Sequence, residues 1–405
     1  MGKLSITSPQ GFFASFTAAG IKYKDRSDMA MIFSDIPATY AATFTKNKVK
    51  AAPVLWDESL LKQGSKISAV VINAGVANAA TGEEGLKDSE ETADYTAKLL
   101  SVDKTNVLVA STGVIGMRLP MDKLKSGIDN LVKYLSYKSE MGHLASKAIM
   151  TTDTVEKESA VKLEIGGKKV TIAGMCKGSG MIHPNMGTML SFITTDVSID
   201  QKLLQKALLE IVDDTYNMIS VDGDTSTNDS CIVLANGKAE NEMIVSEDEN
   251  YEKFKQALFE VNATLAKKIA KDGEGATKLM EIDVTGAKTK NDAKKIAKSV
   301  VTSSLTKAAI YGKDPNWGRI ICAIGYAEAD FEESKVDISF ESEHGKIKLC
   351  ENGREINFDE DTAKKIMDTD HLKIICDLKC GNENAIAYGC DLTHKYVDIN
   401  ASYRS

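Results

Sequence analysis

The chain has 405 residues, 43% of them apolar and 27% charged, with a formal net charge of −8 at pH 7. That length suits two or three domains or one large layered fold with a sizeable core. The acidic balance, with no dense Lys/Arg run, argues against a surface that tracks nucleic-acid phosphates. The seven cysteines are scattered and none sits at CxxC spacing, and none of the five histidines is paired as HxxxH. They read as buried thiols in a reducing compartment, not as a disulfide framework or a zinc site. The opening MGKLSITSPQGFF lacks the order of a signal or transit peptide, and Ile6 stands where a myristoylation signal has Ser or Thr. Apolar runs also stop short of the roughly 18–20 residues of a bilayer span, so a cytoplasmic protein with no membrane partner is expected.

Short apolar strands alternate with amphipathic helices, which predicts an α/β or α+β layered fold. KISAVVINAGVANAA (66–80) reads as a buried strand entering a small-residue loop, and SEETADYTAKLLS (89–101) as a helix with Ser89 as its cap. NVLVASTGVIG (106–116) is a strand ending in a turn at Thr112-Gly113. MLSFITT (189–195) is a further strand, followed by a helix over about 200–218. The clearest helix covers 250–270, where Tyr251, Phe254, Leu258, Val261, Leu265 and Ile269 share one face. KDGEGATK closes it, with Gly273 available as a left-handed cap and Glu274 just beyond. LANGKAENEMIVSEDEN, TGAKTKND and FESEHGKIKLCENGRE look like hairpins or surface connections, and no shift in composition cuts the chain into domains.

Several familiar signals fail. Ser179 in KGSGM lacks the first glycine of a nucleophile elbow, because Lys177 stands there. DGEGATK has Lys278 in place of the third glycine of a dinucleotide fingerprint. DGDTSTNDS begins like a calcium loop but has Thr227 at its sixth position and Val233 at its twelfth, so it reads as a loop of side-chain-to-backbone hydrogen bonds.

The stretch CKGSGMIHPNMGTMLSFITTD (176–196) passes from glycine-rich loop to apolar strand at Gly187-Thr188. A threonine within a chain has no base at hand, whereas one at a chain start carries its own α-amine, whose ordinary pKa is about 7.7–8.0. Cleavage before Thr188 would create such a nucleophile at the head of a strand. Glycine at 187 would tolerate strain there and leave its carbonyl open to attack. His183-Pro184-Asn185 would stiffen and hydrogen-bond the approach. On these residues alone, a Gly-Thr pair at a strand edge is ordinarily a plain turn.

The segments AAGIKYKDRSDMAMIFSDIPATYAATFTKNKVKAAPV, ASTGVIGMRLPM, AIMTTDT, AGMCKGSGMIHPNMGTML, SVDGDTSTNDS, KDGEGATKL, GKDPNWGRI and YVDINASYRS occur in one order along the whole chain. In that order they resemble the ornithine acetyltransferase, or glutamate N-acetyltransferase, family. The resemblance implies a layered α/β fold of the DmpA/ornithine-acetyltransferase type with the chemistry of N-terminal-nucleophile hydrolases. It implies self-cleavage between Gly187 and Thr188 into an α fragment (1–187) and a β fragment (188–405) that build one intertwined molecule, with two of each in a heterotetramer. Thr188 would be nucleophile and base, with Thr112 and Gly113 as oxyanion donors. Thr151, Lys177, Glu274, Asn400 and Ser405 would be substrate contacts, Lys177 facing a carboxylate and Glu274 an ammonium group. The substrates implied are N-acetylornithine and glutamate, with no cofactor or metal and with acetyl-CoA open as a second acetyl donor. Gly187 stands where the family more often has Ala, and Ala74 and Val76 where relatives tend to have Ser and Asn, although Asn78 remains. Two other readings stay open: an amidase or aminopeptidase with the same threonine, and an uncleaved α/β small-molecule-binding protein.

Overall fold

The computed structural model describes residues 3–183 and 189–401, so Pro184, Asn185, Gly187, Thr188 and Ser405 lie outside the described residues. The protein is a mixed α/β structure with two sheets, in the expected layered class. It forms two compact units, one of Met1–Gly178, Pro184–Asn217 and Thr225–Leu265, the other of Ser179–His183, Met218–Asp224 and Ala266–Ser405. Each unit is assembled from separate stretches of chain. No single point could therefore carry a compositional boundary.

In the first unit, β1 (Phe12–Thr17), β2 (Met29–Phe44), β3 (Ile67–Val76), β4 (Val107–Val114), β5 (Lys157–Ile165), β6 (Lys168–Lys177) and β7 (Leu190–Thr195) share a sheet. After β8 (Ile219–Ser220), a strand of the other sheet, β9 (Ser230–Ala235) completes it. The order is β4-β3-β2-β9-β7-β6-β5, with β1 on β2. The register of β2 against β3 shifts between Phe33 and Ala38, around the exposed Asp35-Ile36-Pro37. Pro37 has no N–H to give the ladder, and beyond this break β2 pairs with β9 from Thr39 to Phe44.

Strand β3 is apolar on both faces because both are covered. Val70 and Ile72 join a core with Phe12, Tyr40 and Phe192. Ala69 and Val71 join another with Met29, Met31 and Leu124. The helices of this unit are α1 (Ala52–Gln63), α2 (Gly82–Leu100), α3 (Met121–Lys133), α4 (Ser139–Ala148) and α5 (Gln201–Asp214), together with most of α6 (Glu249–Lys271). All six periodic residues of α6 are buried. A Cβ on Gly174 of β6 would lie 2.9 Å from Leu265 Cδ1 and 3.2 Å from Val261 Cγ1, so the missing side chain lets α6 sit close to the sheet.

Two helix ends differ from expectation. Helix α2 starts at Gly82, with Glu83 and Glu84 in its first turn, so Ser89 is an interior residue and not a cap. The Ser89 hydroxyl donates to Gly85 O at 3.2 Å and accepts from Asn78 Nδ2 at 3.1 Å. Beyond α6 the left-handed residue is Gly275, at φ +70°, and not Gly273. Gly273 serves spacing instead, since a Cβ there would meet Cys390 Sγ at 2.6 Å.

The second unit has β8, β10 (Leu279–Ala287), β11 (Asp337–Ser342), β12 (Gly345–Glu351), β13 (Arg354–Glu355), β14 (His371–Asp377) and β15 (Glu383–Cys390), in the order β13-β12-β11-β14-β10-β15-β8. Its helices are α7 (Lys290–Thr302), α8 (Ser304–Tyr311), α9 (Trp317–Gly325), α10 (Glu360–Met367) and α11 (His394–Asn400). Ile282, Val284, Phe340 and Ile374 of the sheet pack with Ile296 and Val300 of α7, Ile324 of α9 and Ile366 of α10. FESEHGKIKLCENGRE forms the β11–β12–β13 meander, and TGAKTKND leads from β10 into α7, capped by Thr289. All seven cysteines are free, but the expectation that all are buried fails at Cys322, which is exposed, and at Cys380, which is half-buried. Among the described residues no helix is long and apolar enough to cross a membrane.

Gly174→Val should destabilise the protein by about 1–3 kcal/mol, the usual cost of overpacking a filled core. Urea unfolding followed by fluorescence would measure this. An unchanged midpoint would mean that α6 can move off β6 without loss.

Candidate active site

In the first unit, β3 and β4 run parallel, and near their ends two glycines, Gly75 and Gly113, face each other. Gly113 has φ +132°, and a Cβ there would fall 2.2 Å from the Gly75 carbonyl carbon. Only glycine fits, on grounds of both conformation and space. Thr112-Gly113 lies inside β4, which continues to Val114, and is not the terminal turn expected. The peptides on either side are held: Ala77 N donates to Val114 O at 3.0 Å, and Asn228 Nδ2 donates to Ser111 O at 2.8 Å.

Lys177 ends β6 and is buried. Its Nζ donates to Thr112 Oγ1 at 3.3 Å. A hydroxyl that accepts in this way keeps its own hydrogen to give elsewhere. Lys177 Nζ is also 4.0 Å from Asp153 Oδ2. Asp153 accepts from Lys157 Nζ at 2.7 Å, Gly178 N at 2.6 Å and Thr151 N at 3.1 Å. Burial alone would raise the Asp153 carboxyl, but the charges of Lys177 and Lys157 and the bonds it accepts hold it down at about 2. Thr151 is thus placed through Asp153, and Arg26 donates to the carbonyls of Met150 and Thr151.

Asp229, at the start of β9, is different. Burial pushes its pKa well up, against hydrogen bonds from Ser226 and Met189 and the charge of Lys177. Among the described residues its Oδ2 has no hydrogen-bond partner. Lys177 and Lys157 set two ammonium groups against the one carboxylate of Asp153. The surplus positive charge suits an anionic ligand group or a developing oxyanion.

In the second unit, Glu274 follows α6 and is buried. Its N–H donates to Ser179 O at 2.9 Å, and its Oε2 accepts from Asn400 Nδ2 of α11 at 2.8 Å. A Cβ on Gly180 would come 2.3 Å from the Glu274 carboxylate, so glycine makes room for it. Asp222 accepts from Met181 N at 2.6 Å and Ile182 N at 2.8 Å, and Tyr396 OH lies 3.3 Å from its Oδ2. His183 Nδ1 lies 3.2 Å from Ser220 Oγ. Burial, then the Lys298 charge, lower the pKa of this imidazole to about 4, and burial brings Lys298 itself down to about 7. His183 is therefore neutral at pH 7.

The structure thus groups Thr112, Gly113, Thr151 and Lys177 in one cluster and pairs Glu274 with Asn400 in another, while Gly187, Thr188 and Ser405 lie outside the described residues. Sequence reasoning missed Asp153 and Lys157, whose only signal is an acid and a base four apart in MTTDTVEK. Asn78, at φ +47°, fixes its own loop through Gly85 O at 2.9 Å, flanked by the buried Ala74 and Val76. Among the described residues no group of three or more His, Cys, Asp or Glu is placed to hold a metal ion.

The ArgJ family model matches residues 13–405. The arginine biosynthesis bifunctional protein ArgJ of Thermotoga neapolitana is 52% identical over 398 residues, covering 98% of this chain and 99% of its own. ArgJ 1 of Clostridium acetobutylicum is 54% identical over 401 residues, 99% of this chain and 98% of its own. Among solved structures, the arginine biosynthesis bifunctional protein of Bacillus halodurans is 46% identical, with a TM-score of 0.49, over 52% of this chain and 97% of its own. The ornithine acetyltransferase of Mycobacterium tuberculosis, complexed with ornithine, is 40% identical, with a TM-score of 0.41, over 46% of this chain and 96% of its own.

Asp153→Ala would remove the carboxylate 2.7 Å from the fully buried Lys157 and should cost about 3–5 kcal/mol in urea unfolding at pH 7. Because the folded pKa of Asp153 lies below its ordinary value, its contribution is present above about pH 4 and is lost as pH falls toward 2. The gap between wild type and Asp153→Ala should narrow over that interval. A gap independent of pH would show that ion pairing is not what Asp153 supplies.

Proposed function

Because the chain belongs to the ArgJ family, we infer that it is an acyltransferase of arginine biosynthesis, a glutamate N-acetyltransferase that converts N2-acetylornithine and glutamate into ornithine and N-acetylglutamate. The observation that carries the chemistry is the Lys177 hydrogen bond to Thr112 Oγ1 beside the side-chain-free Gly113. In this reading Thr112 gives its hydroxyl hydrogen and Gly113 its backbone N–H to a tetrahedral oxyanion, beside the buried Lys177 ammonium group.

In this reading the precursor breaks its own Gly187–Thr188 bond, giving fragments 1–187 and 188–405, and the new α-amine of Thr188 serves as base. The Thr188 oxygen bonds to the acetyl carbon of N-acetylornithine while its proton passes to the α-amine. Thr112 and Gly113 stabilise the oxyanion, a kind of contribution worth about 2.7–4 kcal/mol. The carbon–nitrogen bond then breaks, the proton goes to the leaving amine, and ornithine departs. The amine of glutamate attacks the acetyl-threonine ester, giving N-acetylglutamate and free Thr188. Lys177 would meet a substrate carboxylate and Glu274 a substrate ammonium group, with Thr151, Asn400 and Ser405 as further contacts. The assembly proposed is a cytoplasmic heterotetramer of two α and two β fragments. Acetyl-CoA is proposed as a second donor, in keeping with the word bifunctional in the relatives' names.

Intact mass spectrometry of the purified protein should show two fragments, the second beginning at Thr188. After incubation with N-acetylornithine that second fragment alone should carry an acetyl adduct. Thr188→Ala should remain one full-length band on a denaturing gel. A full-length wild-type band would rule out processing, and acetate release indifferent to glutamate would make the enzyme an amidase.

A further inference from the structure

The DGDTSTNDS segment, so far without a part in the chemistry, contains Asn228, a buried carboxamide with both amide hydrogens and its oxygen engaged. Its Nδ2 donates to Ala77 O at 2.6 Å and to Ser111 O at 2.8 Å, and its Oδ1 accepts from Thr227 Oγ1 at 2.7 Å. The amide cannot be reversed, because both groups facing its nitrogen are carbonyl oxygens and the group facing its oxygen is a hydroxyl donor. Asn228 is only 7% exposed, so water does not replace these bonds readily.

We propose that Asn228 is a positioning residue for the oxyanion donors, clamping the loop after β3 and the Ser111–Thr112 peptide of β4 into one rigid unit. The peptide group is planar, so fixing the Ser111 carbonyl fixes the Thr112 N–H in the same plane and with it the start of the Thr112-Gly113 unit. The other anchored carbonyl belongs to Ala77, whose N–H holds Val114 O at 3.0 Å on the far side of Gly113. One side chain therefore reaches both flanks of the donor dipeptide, directly at Ser111 and through Ala77 at Val114. Asn228 acts through the carbonyls it holds and not on the reacting atoms. Its effect on the reaction comes from the precision with which Thr112 and Gly113 are aimed, and small misplacements of preorganised donors are costly.

The proposal rests on Thr112 and Gly113 being the oxyanion donors, and its test separates the two. Steady-state kinetics on fully processed enzyme would compare Thr112→Val, Asn228→Ala and the double variant. Thr112→Val should lower kcat by about 10²–10³-fold. Asn228→Ala should lower kcat by roughly 10–100-fold with KM for N-acetylornithine within about threefold, since the loss falls on the transition state. The double variant should lose much less than the product of the two, because both act on one set of donors. If Thr112→Val leaves kcat intact, the donor reading falls and this proposal with it. If Thr112→Val is impaired but Asn228→Ala is not, or raises KM alone, or multiplies fully with Thr112→Val, only the positioning role is overturned. Should Asn228→Ala fail to fold or mature, Thr227→Val removes only the donor to Asn228 Oδ1 and should still lower kcat about 3–10-fold. An unchanged kcat in that variant overturns the proposal equally.

Discussion

The first sheet is organised around β7, a strand that has to lie between β6 and β9. Six residue pairs join β7 to β6 antiparallel, from Ile172–Thr195 to Lys177–Leu190, and six join it to β9 in parallel. Every residue of β7 is buried, so its backbone groups have no alternative partner in water and the ladders must form. The proposed scissile bond precedes this strand by two residues. Strand β6 belongs to the chain before that bond and β7 to the chain after it, and they are held by ladder hydrogen bonds that do not depend on covalent continuity. Breaking the bond would therefore leave these two ladders in place. A chain start at Thr188 would be followed at once by a strand with no freedom to shift.

The same constraint explains why so much charge is buried at the end of β6. Lys177 closes a strand whose last eight residues are all buried, and an isolated ammonium there would be strongly destabilising. Asp153 offsets it, and Lys157 and the Gly178 and Thr151 amides saturate Asp153 in turn. A hydrophobic trio of similar volume would be as stable or more so. What the polar version supplies is a fixed positive end beside Thr112, already desolvated.

Much of this was legible in the sequence where the signal is local. The three-four spacing of α6 and the doubly buried run of β3 follow from periodicity and side-chain chemistry within a few residues. Thr112, Gly113, Lys177 and Glu274 were found through resemblance; their own residue types would not have singled them out. What escaped depends on distant pairing. Ser89 looks like a cap until Gly82-Glu83-Glu84 starts the helix a full two turns earlier, and Gly273 looks like a C-cap until Cys390 shows that its role is clearance. Asp153 reads as one more loop acid until the fold brings Lys177 beside it. The division into two units was hidden for a related reason, since Ser179–His183 and Met218–Asp224 are short excursions whose composition matches their surroundings.

The calcium-like look of DGDTSTNDS has a physical origin in this light. Asp and Asn cluster in cation loops because their oxygens are short-tethered and can turn toward a centre, and the same property lets them reach backbone groups that have lost their ladder partners. In the second unit Asp222 uses both carboxylate oxygens on Met181 N and Ile182 N. In the first unit Asn228 uses both amide hydrogens on Ala77 O and Ser111 O, and Thr45 Oγ1 donates to Ser226 O. These bonds occupy the Asp222 oxygens, and Thr227 Oγ1 donates to Asn228 Oδ1, so the very atoms that make the segment look like a ligand set are already engaged. Its acidic and amide residues are better understood as anchors for irregular backbone. Irregular backbone is what a site needs where a strand must turn its N–H groups away from its neighbours and toward a substrate.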